Sequence, residues 1–233
     1  MMDFFQYLVR ISPTLLQRAS EHLAMTANAV GLALVVGVPL GVLIARRPWL
    51  SHWVLGLCNT IQTIPILAFV GMLIPLTGLG TTTAVITLFA YSLLPIIQNT
   101  CTGLKQVDSG IIEAARGMGM TRMQILRLVQ LPLALPVMVT GIRIATVMTL
   151  GSASIMSLAG AGGLGQIIFT GISRVNDQMV LAGALPAALL AVLADVSLGW
   201  LEKKLTPRGV RLEPVRASRT AAALEQETAA AAS

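Results

Sequence analysis

Five long apolar runs separated by short polar stretches set the pattern of this chain. The first, Leu23–Ala45, carries no charge and ends at Arg46-Arg47-Pro48, a basic stop followed by a helix breaker. The second extends from Trp53 to about Leu76, is interrupted at Pro65, and closes near Pro75 before the tight turn Thr77-Gly78-Leu79-Gly80. The third, Thr81–Leu104, contains Pro95 and the polar run Gln98-Asn99-Thr100. The fourth spans Leu133 to about Leu158. The fifth, Met179–Leu201, is followed by Lys203, Lys204, Arg208 and Arg211. Each run reaches the length of about 20 residues at which an α-helix crosses the hydrocarbon core. The pattern therefore predicts an all-α polytopic membrane protein with about five transmembrane helices.

Around that core the chain divides into three parts. Residues 1–21 form an N-terminal amphipathic segment, in which Ser12-Pro13 resembles an N-cap followed by Pro at the first helical position and predicts a short interfacial helix. Residues 22–204 form the transmembrane domain, with a charged loop at 105–132. Residues 205–233 form an Ala-rich cytoplasmic tail, expected to be disordered because a short exposed helix is marginal in water.

Composition excludes the main alternatives. The 233 residues are 55% hydrophobic and 11% charged, with mean hydropathy +0.79; a soluble domain carries about 25% charged residues. Unbroken runs and an aromatic content of 4% do not fit the alternating strands and aromatic girdles of a membrane barrel. The net charge of +6 would suit nucleic-acid binding, but the positive residues cluster at the ends of apolar runs, which the positive-inside rule explains. Arg46, Arg47, Lys105, Arg116, Arg122, Arg127, Lys203 and Lys204 fall on one side. That side is the cytoplasm, so the N-terminus lies outside and the C-terminus inside a multi-pass inner-membrane protein. Arg10 and Arg18, on the outer side, run against the rule. MMDFFQYLVRI lacks the basic n-region and cleavage site of a removable signal peptide.

Candidate chemistry is sparse. Cys58 and Cys101 lie in apolar stretches without metal-ligand spacing, so neither disulfide nor metal is expected. His22 and His52 sit at span edges on opposite sides, and no nucleophile triad or carboxylate pair shares one depth. The chain is therefore expected to be no enzyme, with no catalytic or metal-binding residue and no cofactor of its own. Gly160, Gly162, Gly163 and Gly165 could suggest a phosphate loop, but no strand precedes them and no Lys-Ser/Thr follows. They predict an outer glycine-rich turn near the mouth of a pathway. Arg143 and Asp195 are ionisable groups inside spans, where an isolated charge costs about 2.5–3.5 kcal/mol. They are expected to snorkel, to pair, or to act as a gate.

The charged loop gives the most specific signal. Gly117 and Gly119 interrupt a helical pattern, and Thr121 with Gln124 three residues on forms a capping-box pair. Two short helices with a glycine hinge are predicted, the second ending at Leu131-Pro132. The residues Glu113-Ala114-Ala115, Gly119 and Leu131-Pro132 fit E-A-A-x3-G-x9-I-x-L-P, with Val129 in the Ile place. This resembles the EAA loop of permease subunits of ATP-binding-cassette importers. Ile61–Gly80, Leu93–Asp108, Gly141–Ala153, Gly160–Gln166 and Leu181–Asp195 extend the similarity over about residues 4–204. The branch they resemble imports osmoprotectants such as glycine betaine, choline, carnitine and proline betaine. Ile66 and Cys101 stand where that branch would have Ser and Tyr. Methionine importer permeases are similar in layout.

The resemblance implies a type I importer permease fold. It places Glu113, Ala114, Ala115, Gly117, Gly119, Met120, Thr121, Leu131 and Pro132 in a cytoplasmic coupling loop. It also implies partners: a cytoplasmic ATPase subunit that holds ATP and Mg, an extracytoplasmic substrate-binding protein, and a second permease copy or paralogue. Permeases for methionine or another small solute are the nearest alternative. An ion-coupled secondary transporter is more remote, since no repeat or ionisable relay is visible.

Overall fold

The computed structural model describes residues 2–205, with side chains from Gln6 onward; the proposed tail lies outside them apart from Leu205. All regular structure among the described residues is helical: α1 (Met2–Arg46), α2 (Pro48–Thr63), α3 (Ile66–Thr77), α4 (Thr81–Lys105), α5 (Ser109–Gly117), α6 (Arg122–Gln124), a π-turn (Ile125–Gln130), α7 (Leu131–Ala153), a 3-10 turn (Ile155–Ala159), α8 (Leu164–Ser173) and α9 (Asp177–Leu205).

Four stretches are single helices long and apolar enough to cross a membrane, beginning in α1, α4, α6 and α9. The fifth apolar stretch is the pair α2 and α3, bent by 98° at residues 64–65. Pro65 explains the break, since it has no N–H for the ladder and its ring displaces the preceding turn. Membrane interiors offer no water to the carbonyls this frees. Here α4 supplies the partner: the Tyr91 hydroxyl donates to the Ile64 carbonyl, and Gln62 Nε2 donates to the Tyr91 carbonyl at 2.9 Å.

α4 is the central helix, packed on α1 and α7, with α2 and α3 along its flank; α9 lies against α7 and α8. Between such helices lipid gives no hydrophobic driving force, so close approach of backbones matters. A Cβ on Gly41 would sit 2.6 Å from Thr100 Cβ, and one on Gly141 would sit 2.7 Å from the Pro95 carbonyl oxygen. Ser92 and Thr149 bridge α4 and α7 by a 2.7 Å hydroxyl pair. Met25, Ala29, Val70, Ala84, Leu88, Ala153 and Met156 form a buried cluster that joins α1, α3, α4 and α7. Cys58 and Cys101 are both buried, free thiols, in a second cluster with Ile44, Leu94 and Ile97.

Four sequence expectations need correction. No separate interfacial helix begins at Ser12-Pro13: α1 runs without interruption past residue 21, with Pro13 in its interior. Nothing between Pro13 and Leu23 breaks a helix; Gln17, Arg18 and Ser20 bond within α1, while Glu21 and His22 Nε2 reach Gly163 and Leu150. The second loop helix does not end at Leu131-Pro132. The chain stays helical from Arg122 to Ala153, because the π-turn accommodates the proline. The second span starts earlier than Trp53, with Pro48 at the first turn of α2. The segment after the glycine turn is no bare linker but holds α8, fastened to α9 where a Cβ on Gly171 would meet Val180 N at 2.7 Å.

Candidate functional site

Three regions predicted from sequence lie at different depths along α7. At its N-terminal end is the hook formed by α5, α6 and the π-turn. Asp108 caps α5, its Oδ1 accepting from Gly110 N at 2.8 Å and Ile111 N at 3.2 Å. α5 closes in a Schellman arrangement: Gly119 N donates to the Arg116 carbonyl at 2.9 Å and Met120 N to that of Ala115 at 3.2 Å. That geometry needs a left-handed residue, and Gly119 has φ of +80°. Thr121 and Gln124 complete the predicted capping box: Thr121 N donates to Gln124 Oε1 at 2.8 Å and Gln124 N to Thr121 Oγ1 at 3.4 Å.

The hook is therefore stiff, and it is attached to the bundle. Ala115 is buried, and α5 rests on the π-turn. Ile125 and Leu126 are buried, the latter among Leu104, Ala134 and Met138. In the π-turn Leu131 N donates to the Leu126 carbonyl, an i→i+5 bond, which carries the chain through Pro132 into α7. Arg46 at the end of α1 donates to the Arg122 carbonyl at 3.3 Å. A cavity of about 300 Å³, lined in part by Arg46, Lys105, Ser109 and Gln130, lies behind the hook. Glu113, Ala114 and Gly117 are exposed, as are the apolar side chains of Ile111, Met118 (76%) and Met123 (50%). Apolar groups presented together on a polar loop are what a partner protein covers.

Midway along, Arg143 of α7 meets α9. Its Nε and Nη2 donate to the two carboxylate oxygens of Asp195 at 2.6 and 2.8 Å, and Nη1 donates to Glu202 at 3.4 Å. Thr140 also donates to Glu202, at 2.8 Å. Gly199 faces the guanidinium, where a Cβ would lie 3.2 Å from its central carbon. Asp195, Gly199 and Glu202 recur at four- and three-residue spacing, so one face of α9 is shaped to Arg143. Sequence reasoning expected the Arg143–Asp195 pair as one option but missed Glu202, whose spacing on the same helix face was the available signal.

At the far end of α7 the glycine turn packs on the middle of α1, around Arg18, Glu21, His22 and Met25. Gly160, Gly162 and Gly163 all have positive φ, and a Cβ on Gly165 would fall 1.8 Å from the Ser154 carbonyl oxygen, so no side chain fits there. Gly163 N donates to Glu21 Oε2 at 3.0 Å, and Glu21 pairs with Arg18 at 2.8 Å. The fully buried His22 donates from Nε2 to the Leu150 carbonyl at 3.0 Å. Gly80 N donates to the Ala159 carbonyl at 2.8 Å, bringing the α3–α4 turn to the same end. Arg18, Glu21 and His22 were not singled out as site residues, though the i, i+3 spacing of Arg18 and Glu21 was legible. Among the described residues no group of three His, Cys, Asp or Glu side chains could hold a metal ion.

A bundle of long apolar helices with a capped, exposed hook on one of them defines a polytopic membrane protein. The chain belongs to the family of binding-protein-dependent transport system inner membrane components, whose family model matches residues 37–207. It is similar to the carnitine transport permease protein OpuCD of Listeria monocytogenes, 48% identical over 196 residues that make up 84% of this chain and 88% of that protein. It is also similar to the glycine betaine/carnitine/choline transport system permease protein OpuCD of Bacillus subtilis (strain 168), 48% identical over 193 residues, 82% of this chain and 84% of that protein. The osmoprotectant import permease protein OsmW of Salmonella typhimurium is 46% identical over 215 residues, covering 90% of this chain and all (100%) of that protein. Among solved structures, the inward-facing MetNI methionine ABC transporter has a chain matching at TM-score 0.78 and 28% identity, covering 85% of this chain and 99% of that one.

Proposed function

We propose that this chain is the permease subunit of an ATP-driven importer for quaternary-amine osmoprotectants: glycine betaine, choline, carnitine or proline betaine. The observation that carries the mechanism is the uninterrupted helix from Arg122 to Ala153. A partner that grips the capped hook can move a membrane-spanning rod, with no flexible joint to absorb the stroke. That partner is a cytoplasmic ATPase subunit, which holds ATP and Mg and covers Ile111, Glu113, Ala114, Met118 and Met123. The hook then lies in the cytoplasm with the C-terminus, and the glycine turn and N-terminus lie outside, where a substrate-binding protein delivers cargo. A second permease copy or a paralogue completes the pathway. Arg143 with Asp195 and Glu202 is the brace that makes α9 follow α7.

The substrate class is supported by the relatives, whose likeness runs over most of both chains at 46–48% identity. The methionine transporter chain, at 28%, is more distant, which favours the osmoprotectant reading over a methionine permease. Purification of the tagged full-length chain from its own cells in mild detergent, followed by mass spectrometry, tests the assembly. An ATPase of the cassette type should accompany the chain in near-stoichiometric amount. A chain that emerges without one, under conditions that keep it folded, contradicts the proposal.

A further inference from the structure

We propose that the cavity at the glycine-turn end of α1 is a binding subsite for zwitterionic quaternary amines, with Arg18 meeting the cargo's carboxylate and Glu21 facing its ammonium group. The inference rests on the osmoprotectant reading and deepens it by naming where such cargo lodges in this chain.

The cavity measures about 490 Å³ and is lined by Arg18, Glu21, Asn28, Thr81, Gln166 and the backbone of the glycine turn, with Ala24 and Met25. That volume lies within the range of about 300–1,000 Å³ that small-molecule sites occupy. Its wall is polar at one end of a bundle whose other helix surfaces are largely apolar.

The geometry suits a zwitterion in particular. Glu21 Oε2 accepts from Arg18 Nη1 at 2.8 Å and from Gly163 N at 3.0 Å, while Oε1 accepts from Gln17 Nε2 at 3.2 Å. These bonds fix the carboxylate in place and occupy much of its acceptor capacity. A quaternary ammonium has no N–H and needs no free lone pair; it needs only a fixed negative charge beside it. Arg18 gives one N–H to Glu21, and a guanidinium has five. Donors remain for a planar carboxylate, which a guanidinium takes in bidentate fashion. The paired charges thus present a dipole that an antiparallel zwitterion complements.

The glycine turn is fitted to this pair. A Cβ on Gly162 would lie 2.5 Å from Glu21 Oε2 and 3.1 Å from Arg18 Nη1, so the turn can close on the pair only without a side chain. Arg18 and Glu21 remain 27% and 31% exposed, open to solute at the mouth. Among the described residues no aromatic side chain lines the cavity, so charge, not a cation–π cage, would hold the cargo. Binding should be weak, as a transit site requires. Zwitterions should bind better than choline, which has no carboxylate.

Saturation-transfer NMR on the complete permease–ATPase complex in lipid nanodiscs, without binding protein, tests this with glycine betaine, carnitine and choline. Arg18→Gln should weaken glycine betaine and carnitine about tenfold or more, the scale of a lost charge-assisted contact, and leave choline unchanged. Glu21→Gln keeps an acceptor for Gly163 N and should weaken all three. Unaltered binding in both variants, or changes only in the response of ATPase rate to loaded binding protein, overturns the subsite. Uptake by the wild-type complex with its binding protein separates the two claims. If none of the three solutes is taken up, the osmoprotectant reading falls and the subsite with it. If they are taken up while the variants bind as wild type, the subsite alone falls.

Discussion

Gly119→Pro should abolish ATP-coupled uptake while the protein still inserts in the membrane at normal level. Gly119 holds φ of +80° and its N–H bonds to the Arg116 carbonyl at 2.9 Å. Proline fixes φ near −65° and has no N–H, so both the left-handed turn and the bond are lost. Forcing a residue into such a conformation costs about 1–3 kcal/mol. An exposed hook with no core behind Gly119 will relax instead, and α5 will swing away from the π-turn. Coupling should then fall at least tenfold, about 1.4 kcal/mol in a rate or binding step. Glu113→Lys should give the same phenotype for another reason: it leaves the fold of the hook alone and reverses the charge on its exposed face. Gly117→Ala is the control, since a Cβ there meets nothing within 4 Å and the residue lies in the last turn of a helix. Uptake and ATPase stimulation measured in membranes at matched protein level decide the matter. Normal uptake in both Gly119→Pro and Glu113→Lys would sink the coupling role.

The second large effect is expected at Arg143. Arg143→Leu leaves Asp195 and Glu202 as two carboxylates on one helix face without the guanidinium that bonds to both. Breaking one side of such a pair is far more damaging than replacing the whole of it with apolar groups. The folded amount in membranes should drop several-fold. Asp195→Leu should be milder, because Glu202 still reaches Arg143 at 3.4 Å. The double variant Arg143→Leu with Asp195→Leu should recover part of the loss. Fluorescence-detected size exclusion gives the folded amount, and uptake per folded molecule separates brace from gate. A brace keeps that ratio near wild type in Asp195→Leu, whereas a gate loses it. Full folded levels in Arg143→Leu would refute the brace.

The spans were legible because their cause is local. Burial in lipid needs about 20 apolar residues in a row, and four of the five predicted runs are single helices long and apolar enough to cross. The capping box at Thr121 and Gln124 was legible too, because side chain and backbone lie three residues apart. What stayed hidden depends on contacts between distant segments. Pro65 announced a break, but not its 98° size or its partners: Tyr91 of α4 donates to the Ile64 carbonyl at the bend, and Gln62 of α2 donates to the Tyr91 carbonyl. Pro13 looked like a helix start, yet α1 continues through it, and Glu21 and the Nε2 of His22 bond to Gly163 and Leu150, more than 120 residues away. Pro132 looked like a helix end. The π-turn that absorbs it has no sequence signature of its own. Glu202 lies seven residues after Asp195 on the same face of α9, a spacing visible in the sequence, but its bond to Arg143 depends on the meeting of α7 with α9.

The proposed function requires that movement of the hook by an ATPase drive this pathway. Uptake of radiolabelled glycine betaine, carnitine and choline into proteoliposomes that hold this chain with its ATPase and binding protein measures it most directly. Accumulation should require ATP on the hook side and binding protein on the glycine-turn side, with no response to sodium or proton gradients, if hook movement drives transport. Accumulation by the chain alone on an ion gradient, without ATP, would contradict it.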